Sequence, residues 1–272
     1  MPDGANFSSE HLFRLIGTAA APALIDVRTD EDFAADRRLI PGSGRKSHAT
    51  VPQWGGACRG RAVAVICDSG GKLSEGVAAW LRQIGAAAVV LDGGFSAWRQ
   101  AGLPLVPAAR IPASDAGGRT VWVTRSRPKI DRIACPWLIR RFIDPDAVFL
   151  FVAPSEVAAV AERFAATPFD IPDVFWSHRG ERCTFDVMVE EFALSVPALE
   201  RLAVIVRGAD TARPALAPQA PGLLAVSLGL SRMFDDDLAQ LEAGMPLYDA
   251  LYRWCRDAAD ETHNWPSPAA RE

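Results

Sequence analysis

Three short apolar runs, Ala23–Val27, Ala62–Cys67 and Ala87–Leu91, recur along the first hundred residues, with segments of helical periodicity between and after them. Each run is too short for a buried helix and is bounded by turn residues, so each reads as a strand covered on both faces. Strands alternating with helices imply a largely parallel sheet with helices on both sides. Ser8-Ser9-Glu10 caps a helix to about Gly17, Glu31–Ala35 is a short helix, and Leu73–Gly85 is a helix that stops at its glycine. Asp92-Gly93-Gly94 is a turn before a last short helix, Phe95–Ala101.

The pattern then breaks. Pro104, Pro107, Pro112, Ser114 and Gly117-Gly118 carry no periodicity, which marks a linker. We divide the chain into residues 1–107, a linker at 108–118, a second domain at 119–262 and a loose tail at 263–272. The second domain opens with a strand, Thr120–Thr124, then a basic loop, Arg125-Ser126-Arg127-Pro128-Lys129. An amphipathic helix follows from about Asp131 to Ile143, its start shifted towards Cys135 by Pro136. Ala147–Val152 is a strand, and the segments 175–178 and 183–186 flank a four-residue turn as a hairpin. Helices are expected at Pro197–Val206, Gly222–Arg232, Asp235–Ala243 and Pro246–Ala259. The fold class is α/β, followed by an α+β domain with a helical C-terminal layer.

Cys67 ends the second strand and is followed at once by Asp68-Ser69-Gly70-Gly71-Lys72. A thiol there meets the unpaired N–H groups of the next helix, which favour a thiolate, the reactive form. The glycines let the backbone fold around the sulfur. The plainer reading of Cys67 is a small buried apolar side chain at a strand end.

The first domain resembles the rhodanese family of sulfurtransferases through Leu24-Ile25-Asp26-Val27-Arg28, Ile40-Pro41-Gly42, the Cys67–Lys72 loop and Leu91-Asp92-Gly93-Gly94-Phe95-Ser96-Ala97-Trp98. The resemblance implies that Cys67 carries a transferable sulfur as a persulfide, cradled by the backbone of Asp68 to Lys72. An anionic sulfur donor and a thiol acceptor follow as partners. Two departures stand out: Asp68 replaces a frequent basic residue beside the thiol and repels an anionic donor, and Leu39 replaces the family's frequent histidine.

The second half resembles the C-terminal domain of chromate resistance proteins of the ChrB type. The similarity runs through Thr124–Asp144, Cys183-Thr184-Phe185-Asp186, Val206–Thr211, Gly222–Ala225 and Tyr248–Tyr252. This implies a link to chromate stress and, for some members, to control of expression. Arg125, Arg127, Lys129 and Arg132 gather at a helix N-terminus, where a tetrahedral oxyanion such as chromate is favoured. They read equally as solvated cations paired with Asp131 or Asp144. His178 and Cys183 across the turn are candidate ligands for a metal ion, the one cofactor in view, with Glu190 or Asp210 as the third; Asp210 and Cys183 also carry the resemblance.

Bulk properties set limits. A net charge of −4 over 272 residues excludes general nucleic-acid binding. No run approaches the ~20 apolar residues a membrane span needs, and no terminal segment has the build of a signal peptide. Five irregularly spaced cysteines fit reduced thiols and a cytoplasmic protein. Tyr252 and Trp254 on the last helix read as core or as the interface of a homo-oligomer.

Overall fold

A computed structural model of the chain describes residues 6–261. The expected loose tail lies outside these residues. The first domain runs α1 (Ser9–Leu15), β1 (Ala23–Asp26), α2 (Asp30–Ala35), β2 (Arg38–Leu39), β3 (Ser43–Arg45), α3 (Val51–Trp54), β4 (Ala62–Ile66), α4 (Lys72–Gln83), β5 (Ala87–Val90), α5 (Gly94–Gln100) and β6 (Val106–Pro107). Local chemistry starts its helices: the Ser8 hydroxyl accepts from the His11 N–H and Thr29 from Asp32. Four strands form a parallel sheet in the order β3-β1-β4-β5, with Leu24 opposite Ser43 and Ala23 opposite Val63. Four of the five β4 residues are buried because helices cover both faces. Strand β3 was not expected from sequence; at three residues with a central glycine it is too short to show a period. Strands β2 and β6 pair as a separate antiparallel ribbon.

The second domain continues with β7 (Val121–Arg125), α6 (Ile130–Phe142), β8 (Val148–Val152), α7 (Val157–Phe164), β9 (Thr167–Pro168), α8 (Thr184–Glu191), α9 (Pro197–Asp210), α10 (Ala220–Met233) and α11 (Asp237–Arg253). Its sheet is small and parallel, in the order β8-β7-β9. The helices α6, α8, α9, α10 and α11 pack together as the helical layer. Between the domains, Ala108–Arg110 is a 3₁₀ turn, and Ser114 bridges Thr120 around an Asp115–Arg119 ion pair.

Three expectations are corrected. Helix α6 begins at Ile130 rather than Cys135 and passes through Pro136. Ten of its thirteen residues are buried, and that burial outweighs the ~3 kcal/mol an internal proline costs. Likewise, the two helices expected around Gly244 and Pro246 are one, α11. The hairpin at 175–186 does not form: only Arg179 bridges Arg182, and Cys183 becomes the N-cap of α8. The Asp186 carboxylate accepts the Cys183 N–H at 3.0 Å, a local bond that favours a helix start over a strand.

The domains share one apolar core, in which Leu12, Ile16 and Trp98 join Trp137, Phe142 and Tyr252. At the seam, the Gly42 N–H donates to the Phe142 carbonyl at 2.5 Å. Gly17 adopts φ +79°, and a Cβ there would lie 2.5 Å from the Phe142 ring and 2.7 Å from Tyr252. Among the described residues, no helix is long and apolar enough to cross a membrane.

Candidate functional site

Two places hold chemistry. In the first, Cys67 follows β4 directly and is 4% exposed. Its sulfur accepts the Gly71 N–H at 3.3 Å and lies 3.1 Å from the Ser74 hydroxyl. The loop is tied to α5: Phe95 N–H donates to the Cys67 carbonyl and Ser96 N–H to the Asp68 carbonyl, both at 2.9 Å. The Ser96 hydroxyl also donates to the Asp68 carboxylate at 3.0 Å. Gly70 and Gly94 both have positive φ, and a Cβ on Gly94 would sit 2.3 Å from the Cys67 carbonyl oxygen and 2.5 Å from the Gly70 nitrogen. Backbone meets backbone here, so only glycine fits. Ser69 and Lys72 are exposed at the mouth of the loop.

Ser74 escaped the reading of the sequence, although a serine in the first turn after the loop is placed to face back towards it. Arg28 was likewise read only as part of a pattern. Its guanidinium is buried, makes four hydrogen bonds to Asp26 and to the carbonyls of Asp36 and Arg38, and stacks 3.7 Å over the Phe95 ring. It braces the end of β1 against the helix that holds the sulfur loop.

The second place is a knot of carboxylates around His178. Its Nε2 lies 3.5 Å from an Asp131 oxygen, 3.4 Å from Asp170 and 3.3 Å from Asp210. Donor atoms of Asp131, Asp170 and His178 all lie within 4.8 Å of one another. Each carboxylate is steered by a second group. Asp131 Oδ2 accepts the Thr184 N–H at 2.6 Å, Asp170 accepts the Thr184 hydroxyl at 2.9 Å, and Asp210 accepts the Asp131 N–H at 3.4 Å. Arg132 and Arg125 reach Asp170 at 3.2 and 3.6 Å. Asp131 Oδ1 is buried with no partner. Outer partners that aim carboxylates while leaving a donor atom free characterise metal sites.

The electrostatics are opposed. Burial drives the Asp131 carboxyl well above its usual range, and the neighbouring Asp210 and Asp170 push the same way. The three carboxylates raise His178 far above 6.5, so without a metal its imidazole carries the balancing charge. An O,O,N donor set with an exposed histidine suits a divalent ion of the manganese, iron or zinc kind.

Of the expected metal ligands, His178 and Asp210 converge and Cys183 does not. Its thiol is buried and lies outside the group of donor atoms that converge on His178. Asp131 and Asp170 take its place. Asp170 carried no sequence signal, since it follows the two-residue strand β9 in a left-handed turn.

The expected oxyanion cradle is not assembled. Arg127 donates to the Ser231 and Phe234 carbonyls while its N–H meets Asp237. Arg132 donates to the Arg125 and Ser126 carbonyls and pairs with Asp170, as Arg125 also does. Arg127 and Lys129 are both exposed, while Arg125 and Arg132 are half-buried. Helix α11 causes this by packing over the loop: Gln240 donates to the Pro128 carbonyl and Tyr248 to that of Ile130. Arg140 and Arg141 pair with Glu242 and Asp249.

A sulfur loop at the C-terminal end of a parallel sheet, joined to a helical domain with a carboxylate–histidine centre, defines a two-domain class. Residues 10–101 match the rhodanese-like domain model and residues 122–255 that of the ChrB C-terminal domain, so the chain carries one of each in tandem. Protein ChrB of Cupriavidus metallidurans is 35% identical over 155 residues, which cover 56% of this chain and 46% of that protein. The chain thus spans less than half the length of that curated relative. Among solved structures, a Staphylococcus saprophyticus protein is 28% identical and covers 34% of this chain and 91% of its own, with a TM-score of 0.31. A rhodanese-related protein from Thermoplasma volcanium is 24% identical and covers 37% and 96%, with a TM-score of 0.33.

Proposed function

We propose that this is an oxyanion-stress protein, of the chromate-resistance kind, in which Cys67 transfers sulfur and the second domain holds a divalent metal ion. The observation that carries the metal reading is the Asp131 carboxylate: 1% exposed, one oxygen beside His178 and the other unpartnered. Asp131, Asp170 and His178 are the ligands, with Asp210 beside them. His178 is partly exposed and leaves one side of the ion open to an oxyanion.

In the first domain, the Cys67 thiolate attacks the outer sulfur of a sulfane donor. A new S–S bond forms, and the donor fragment leaves with the electron pair of the bond that breaks. An acceptor thiolate then attacks the terminal sulfur and releases Cys67 as thiolate. The Gly71 N–H supports the sulfur through both steps, with the Ser74 hydroxyl in contact beside it. Asp68 and the single Lys72 disfavour thiosulfate.

The test is persulfide mass spectrometry after thiosulfate or mercaptopyruvate, with metal analysis of the same sample. A persulfide on Cys67, absent in Cys67→Ser, together with one bound metal ion per chain supports the reading. No persulfide with either donor, but a bound metal, replaces it with a non-catalytic sensor. The alternative draws on the burial of Cys67 and the carboxylate next to it.

A further inference from the structure

A cleft of about 600 Å³ lies between the two domains, away from both sites described above. One wall is the free edge of β3 with Lys46, Trp54, Cys58 and Arg61; the other is the Ser114–Thr120 turn and the segment 143–146 after α6. The seam brings three cations here, Arg45, Lys46 and Arg61, against two carboxylates, Asp144 and Asp146. Asp144 is spent: one oxygen accepts the Thr120 N–H and hydroxyl at 2.6 and 2.7 Å, the other the Asp146 N–H at 3.0 Å.

The cations are less fully used. Among the described residues, no carboxylate lies in ion-pair range of Lys46 or Arg61. Both are close enough to act on the Cys58 thiol in the cleft wall. Arg45 pairs with Asp30, yet its Nε–H is buried without an acceptor. The Ser43 hydroxyl on the same strand is also unpartnered, in a residue only 4% exposed. Both atoms are sealed inside the wall rather than open to the cleft, so the donors that face it are the exposed Lys46 and Arg61.

Size narrows the ligand. A volume of ~300–1,000 Å³ is typical of small-molecule sites, whereas a bare tetrahedral oxyanion would leave most of this cleft empty. Leu24, Trp54 and Ile143 add apolar wall. We propose that the interdomain cleft binds a small organic anion, its phosphate or carboxylate groups held by Lys46 and Arg61, its apolar body against Trp54 and Ile143. The ligand is not a partner of Cys67. Arg61 precedes β4 and Cys67 follows it, so six residue steps along the strand separate them by roughly 20 Å. Each domain supplies a wall of the site.

The test is calorimetry and thermal shift on the full chain with ADP as the phosphate probe, glutathione as the carboxylate probe and sodium sulfate as the inorganic control. One organic probe is expected to bind and raise Tm, with affinity at least tenfold weaker in Lys46→Ala/Arg61→Ala. That variant should keep the wild-type circular dichroism and Cys67 persulfide yield. Whether ADP or glutathione binds identifies the head group. The proposal is overturned by sulfate binding alone, by no binding at millimolar probe, or by unchanged affinity in the double variant.

Discussion

Asp131 Oδ2 and His178 meet at 3.5 Å, from the first turn of a buried helix and from an irregular loop 47 positions later, and Asp131 Oδ1 is left without a partner. Its Oδ2 accepts the Thr184 N–H and faces His178, so under the proposed reading Oδ1 is the atom left for a metal ion.

Asp131→Asn separates these roles. Metal affinity should fall by about 100-fold or more, since even outer partners of ligands are worth ~10–100-fold. The metal-free variant should melt at or above the wild-type temperature, because a buried charge has been removed. Calorimetry and a melting curve in chelator measure the two; a large drop in metal-free Tm would show that the carboxylate is structural.

The pH dependence has a definite sign. His178 in the folded, metal-free protein is raised above 6.5 and Asp131 above 3.8. A raised folded pKa gives stability that is full below the unfolded value and lost as pH rises through the folded one. Metal-free Tm should therefore decline from weakly acidic to alkaline pH. A metal ion displaces the His178 proton, so the Tm gain on adding metal should grow between pH 5.5 and 8. In His178→Gln the growth should shrink to what the raised Asp131 carboxyl still contributes; a gain that is flat with pH in the wild type would contradict the assignment.

Gly94→Ala tests the sulfur loop. Gly94 and Gly60 share a positive φ, +60° and +75°, but only at Gly94 does a Cβ collide, 2.3 Å from the Cys67 carbonyl. Gly60→Ala should cost about 1–2 kcal/mol from backbone conformation alone. Gly94→Ala should cost clearly more and abolish the persulfide on Cys67. Urea titration and mass spectrometry check both, and equal costs would deny the tight loop.

Arg28→Ala should destabilise by about 3–5 kcal/mol, because it leaves Asp26 buried and unpaired. Asp26→Asn/Arg28→Met should recover part of that loss. A double variant less stable than Arg28→Ala by denaturant titration would count against the pair as the cause.

The sequence by itself determined what depends on neighbours along the chain. The parallel sheet, the strand-to-helix turn at Cys67 and the cap at Ser8 rest on periodicity and on bonds spanning three or four residues. Strand β3 and the continuity of α6 and α11 through their prolines depended on packing against other elements and were not legible. The fate of the cations was equally hidden: Arg127 is consumed by carbonyls more than a hundred positions away. His178 and Asp210 could be suspected, but Cys183 could be discarded and Asp131 and Asp170 recruited only once α6, α8 and α9 had packed. Only the tertiary structure decided the carboxylate–histidine cluster, because convergence of side chains across 79 positions follows from burial and packing, which carry no local signature.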